Sequence, residues 1–128
     1  MASLKAYNSK RAPQPAAGYA QAVKLESAKE LLFVSGQIPV APDGAVPATF
    51  GAQARLAWAN VIAQIEDAGM SLDDLAKVTI FLSDRAYAAE NRAIRQDVLG
   101  QRSVALTVII TGIFDSAWLL EIEAIAAR

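Results

Sequence analysis

Five apolar residues, Ala54, Trp58, Val61, Ile65 and Ala68, recur at spacings of four, three, four and three. That rhythm lays them along one side of an α-helix. Thr49 supplies a capping hydroxyl at its start and Gly69 a stop, so a helix is predicted over residues 49–69. The chain around it keeps a different period. Residues 75–83 contain the β-branched run Val78-Thr79-Ile80, and residues 19–26, 31–35, 103–111 and 118–127 also read as strands. Only the polar residues 27–30 separate the first two strands, which predicts a hairpin. Asp84 caps a second helix and Gly100 ends it. The order strand, strand, helix, strand, helix, strand, strand is that of an α+β sandwich with two helices over one face of a mixed sheet. Two helices cover one face only. The other still carries Val, Ile and Leu, so an obligate oligomer is expected.

The 128 residues fit a single domain, 1–128, with 54 % apolar and 20 % charged side chains. Pro13 and Pro15 mark residues 11–18 as a loop, and Pro39, Pro42-Asp43-Gly44 and Pro47 break regular structure before the first helix. The formal net charge is -1 and the basic cluster Lys10-Arg11 is short, which argues against a nucleic-acid partner. There is no cysteine and no histidine. Thiol nucleophiles, Ser-His-Asp triads, disulfides and Cys/His zinc sites are thereby excluded. The carboxylates lack ligand-like spacing, so no metal is expected, and proton transfer must use Asp, Glu, Tyr, Lys or water. Residues 1–18 are polar and unlike a signal peptide. The longest apolar stretch, residues 104–114, is interrupted and too short to span a bilayer, so a cytoplasmic protein without membrane contact is expected.

Three places depart from a plain amphipathic pattern. The second helix puts Tyr87, Asn91, Ile94 and Val98 on one stripe, so Asn91 is an amide among apolar neighbours. It is either a hydrogen-bonded core amide or a group facing a ligand. On the last strand Leu120, Ile122, Ala124 and Ala126 share one face, while Glu121 and Glu123 share the other with Leu119 and Ile125. Those acids are either solvated or ion-paired, or one is shielded from water, in which case its pKa should rise and suit acid/base work. Ser35-Gly36-Gln37 ends a strand, where Gly36 would admit a ligand to the backbone and Ser35 adds a hydroxyl, although Ser-Gly is also ordinary turn chemistry.

The stretches GYAQAV (18–23), FVSGQIP (33–39), AQAR (52–55), KVTIFLSD (77–84) and EIEAIA (121–126) together resemble the RidA (YjgF) family, in the family order and over nearly the whole chain. SGQIP and EIEAIA are the most specific. The resemblance implies a chorismate-mutase-like fold, with a mixed six-stranded sheet and two helices on one face, in a homotrimer with small-molecule clefts between subunits. It implies cofactor-free hydrolysis of reactive enamines and imines to 2-keto acids and ammonia. By position it gives catalytic places to Glu121, which would activate water, and Tyr19. It places Ser35, Gly36 and Asn91 in the cleft, and makes Glu123 structural.

One departure matters. Active deaminases of the family carry an arginine on the fifth strand that pairs with the substrate carboxylate. Keeping the distance to Glu121 nearly constant puts Ala105 at that place, Thr107 at a common cysteine position and Arg102 at an outer arginine. Arg102 lies three residues earlier, and an odd offset on a strand points to the opposite face unless a bulge intervenes. Losing an arginine–carboxylate pair should cost a few kcal/mol, on the order of a hundredfold in binding. Two functions follow: an imine or enamine hydrolase with altered substrate preference, drawing on Thr107 and Arg102 for binding, or a trimer that binds a small metabolite without turnover. Ribonuclease activity, claimed for some relatives, is disfavoured by the missing histidine and basic surface.

Overall fold

A computed structural model describes residues 2–16 and 18–128; Met1, and Ala17 within the expected loop, lie outside the described residues. The elements are β1 (Ser3–Tyr7), β2 (Ala22–Glu26), β3 (Leu31–Gln37), α1 (Phe50–Asp67), β4 (Leu75–Leu82), α2 (Ala88–Leu99), β5 (Ala105–Ile110) and β6 (Leu120–Ala127). Four strands form a mixed sheet in the order β3-β6-β4-β5, in which β4 and β5 are parallel and the other pairs antiparallel. Thr49 caps α1 through its hydroxyl, which accepts from the Ala52 N–H. Asp84 caps a single 3-10 turn, Arg85–Tyr87, that leads into α2. Tyr87 stacks on Phe50 at 4.5 Å between ring centres, joining the two helix starts.

The α1 stripe of Ala54, Trp58, Val61 and Ile65 is buried, whereas Ala68 lies past the helix end and is exposed. Against it pack Val78, Ile80 and Leu82 of β4 and Leu120, Ile122, Ala124 and Ala126 of β6, and Ile94 and Leu99 of α2 complete the same core. Burying each Leu or Ile side chain stabilises the fold by about 1.5–3 kcal/mol, which holds the helices to this face. Successive strand residues point to opposite faces. Glu121, Glu123 and Ile125 therefore point away from the helices, with Lys77, Thr79 and Phe81 beside them on β4.

The expected hairpin does not form. β2 pairs with β1, a strand not foreseen, in a separate two-stranded sheet, while β3 pairs with β6. The intervening residues bond elsewhere: the N–H groups of Lys29 and Glu30 both donate to the Arg128 carbonyl, and the Arg128 N–H returns to Glu30. Ser27, with φ of 60°, turns the chain out of β2. The six strands thus divide four and two instead of forming one sheet. A parallel bridge between Ala20 and Ala105, with Ala20 N–H donating to Val104 at 2.8 Å, ties the approach to β2 to the start of β5.

Candidate functional site

β3 and β6 fall out of step between Val34, opposite Ala124, and Gln37, opposite Ile122. Three steps on β3 match two on β6, so Ser35 and Gly36 share the single opposing residue Glu123. Such a bulge bends a strand locally and re-aims what it carries. Here it brings the Gly36 backbone beneath the Glu121 carboxylate. A Cβ added at Gly36 would lie 2.7 Å from Glu121 Cδ and would overlap Oε2. The close approach expected at this glycine is therefore made by the chain's own glutamate.

Glu121 is half-buried opposite Phe81 and lines a cavity of about 260 Å³ with Thr111, Gly112, Ile113 and Phe114. A neighbouring depression of about 310 Å³ on the same sheet face is lined by Phe33, Ser35, Lys77, Thr79 and Glu123. Thr107 stands on β5 opposite Thr79 and accepts a 2.8 Å hydrogen bond from Lys77 Nζ. Lys77 lies in register with Ala105, the residue expected at the family arginine position, so a cation stands beside it.

Tyr19 belongs to a third cavity, of about 260 Å³, with Gln21, Arg92, Arg95, Leu106 and Val108. Arg95 is only 4 % exposed, its Nε has no partner among the described residues, and its guanidinium lies 5.9 Å from the centre of the Tyr19 ring. Burial, and then repulsion from Arg92, hold it below the usual arginine pKa, with Tyr19 opposing. Asn91, one helical turn earlier, is 3 % exposed and its Oδ1 is likewise without a donor among the described residues. The amide is buried, and its oxygen is not satisfied by the core.

Arg102 turns elsewhere. It forms an ion pair with Asp73 at 2.9 Å and also donates to the Leu99 carbonyl. Within one chain it joins neither Glu121 nor Tyr19. A cavity of about 640 Å³ near Lys29, Ser71, Asp74 and Arg128 holds none of the candidates. Sequence reasoning missed Arg95 and Lys77. Arg95 had a signal, since it lies four residues after Asn91 and next to Ile94 on the stripe. Lys77 had none, because its neighbour Ala105 is set by strand register.

Comparison with known proteins gives concordant results. The sequence profile of the family described as Endoribonuclease L-PSP matches residues 9–128. A RutC family protein of Pyrococcus abyssi is 32 % identical over 120 residues, 92 % of either chain. TdcF of Escherichia coli, provisionally named a reactive intermediate deaminase, is 40 % identical over 94 residues, covering 72 % of this chain and 70 % of its own. The crystal structure of TdcF with bound serine matches at a TM-score of 0.69 and 34 % identity, over 97 % of this chain and 98 % of that one. The Yersinia pestis Rid family protein YyfB reaches a TM-score of 0.85 over 98 % of both chains, and at 20 % identity it speaks for the fold alone.

Proposed function

Because the chain belongs to the RidA (YjgF) family, we propose that it hydrolyses reactive imines and enamines to carbonyl compounds and ammonia, at clefts between the subunits of a homotrimer. The observation that carries this reading is the Ser35–Gly36 bulge, which seats the Glu121 carboxylate on a sheet face that the helices leave uncovered. The carboxylate takes a proton from water while the water oxygen bonds to the imine carbon. The nitrogen gains a proton, the carbon–nitrogen bond of the resulting carbinolamine breaks, and ammonia leaves as the carbonyl forms. An enamine enters the same path after protonation at carbon. Tyr19, in the cavity beside β5, and Asn91, on α2, offer hydroxyl and amide groups to orient the substrate from a neighbouring subunit.

TdcF, solved with bound serine, takes a ligand of the size proposed here. With Ala105 at the family arginine position, substrate preference differs from that of deaminases that keep the arginine. The endoribonuclease of the family's description finds no support in a chain without histidine and with net charge -1. Glu121→Gln keeps the shape of the side chain and removes its basicity. It should lower ammonia release from 2-iminobutyrate, generated in situ by an amino-acid oxidase, about a hundredfold or more while the assembly stays intact. Turnover equal to wild type would sink the mechanism. No acceleration of any imine by the wild type would leave the alternative, a trimer that binds a small metabolite without turning it over.

A further inference from the structure

The cavity at Tyr19 is lined by two cations. Two guanidiniums, Arg92 and Arg95, stand one helical turn apart on α2 and line the same 260 Å³ space, and no carboxylate among the described residues lines it. Arg95 is buried, and neither arginine forms an ion pair within 4 Å among the described residues. A buried guanidinium with an unmade Nε bond is costly unless an acceptor arrives. The Tyr19 ring lies beside the guanidinium, its centre 5.9 Å away. Leu106 and Val108 of β5 form the apolar wall facing the two arginines. Leu106 and Val108 alternate with Ala105 and Thr107, so the two arginines stand across β5 from the Ala105 side chain.

We propose that Arg95, with Arg92 at the rim and Tyr19 beside it, is the anion subsite of this chain and holds the carboxylate of a small 2-imino or 2-oxo acid. The choice of such an acid rests on the hydrolase reading above; the anion subsite itself does not. The cation approaches from helix α2 instead of strand β5, which moves the carboxylate and alters the side chains accepted beyond it. A guanidinium fork pairs with a carboxylate bidentately, which lysine does not reproduce.

Titration calorimetry with 2-oxobutyrate on the whole protein tests this directly. Wild type should bind it, Arg95→Met should weaken binding tenfold or more, Arg95→Lys should recover part of the loss, and exposed Arg92→Ala should weaken it severalfold with the fold untouched. The KM for 2-iminobutyrate should rise in step, more than kcat falls. Binding unchanged in both Arg95→Met and Arg92→Ala, or no binding by wild type, would overturn the subsite. The two readings fail separately. Keto-acid binding that is lost in Arg95→Met, in a protein that hydrolyses no imine, upholds the subsite and ends the hydrolase. Hydrolysis whose KM ignores both arginines does the reverse.

Discussion

At Gly36 one hydrogen atom separates the backbone from the Glu121 carboxylate, and the bulge leaves no room for more. Gly36→Ala would force the whole carboxyl group aside. The group sits at the end of a flexible side chain on a half-open face, so the stability cost is small, about 1 kcal/mol or less. Ammonia release should nevertheless fall at least tenfold, since a misplacement of about 1 Å can cost a hundredfold in rate. Thermal melting and the ammonia assay together check this, and full activity in Gly36→Ala would show that the position of Glu121 is immaterial. The same scale explains why Arg95 is informative. Its pKa is lowered in the fold. Folding therefore disfavours its charged form at every pH below the folded value, and stability returns only as pH rises through that value. Such a residue weakens the free protein, and the proposed anion would offset the loss.

Among the elements, α1 does more than cover the sheet. Gln53, only 2 % exposed, donates to the carbonyls of Pro47 and Ala117 at 2.9 and 3.0 Å and accepts from the Leu119 N–H at 2.8 Å. It thereby fixes the chain that delivers Glu121 to β6. Gln53→Ala leaves three backbone groups without their partner and should cost about 2–4 kcal/mol, lowering the melting temperature by roughly 10 °C. A shift of only a degree or two, read by circular dichroism, would mean that water replaces the amide. Much of this level was legible in the sequence. The α1 stripe, the Thr49 cap, β4, β6 and the outward glutamates follow from local periodicity, because side-chain direction is fixed within each element. Strand pairing was not legible. Proximity in sequence favoured a β2–β3 hairpin, and only the distant Arg128 backbone, which captures Lys29 and Glu30, decides otherwise. The bulge was hidden for the same reason, since it exists only against β6. β1 alternates Leu4 and Ala6 with Ser3 and Lys5, but five residues are too short a run to stand out from the polar stretch 1–18.

For the molecule as a whole, the candidates are dispersed in a way that one chain does not resolve. Glu121 stands on the helix-free face, Tyr19 and Arg95 stand in a separate cavity beside β5, and the two cavities share no lining residue. A substrate held by Arg95 and hydrated by Glu121 requires the two to come from adjacent subunits. The exposed surface supports such a contact. Phe33 is 70 % exposed on the helix-free face, Ile109 is 42 % exposed on β5, and Phe114, beside Glu121, is 96 % exposed. Large apolar groups left this exposed fit the proposed interface, where covering each side chain would contribute about 1.5–3 kcal/mol. In the proposed trimer Phe33→Glu places a charge in each subunit contact while leaving the core of one chain untouched, because Phe33 lies outside it. Analytical ultracentrifugation should find the wild type near three times 13.6 kDa and the variant shifted towards one, with unchanged far-ultraviolet circular dichroism and with ammonia release lost together with the assembly. A variant that stays assembled and active would remove the helix-free face from the interface, and Glu121 would then have to find its substrate without a neighbour.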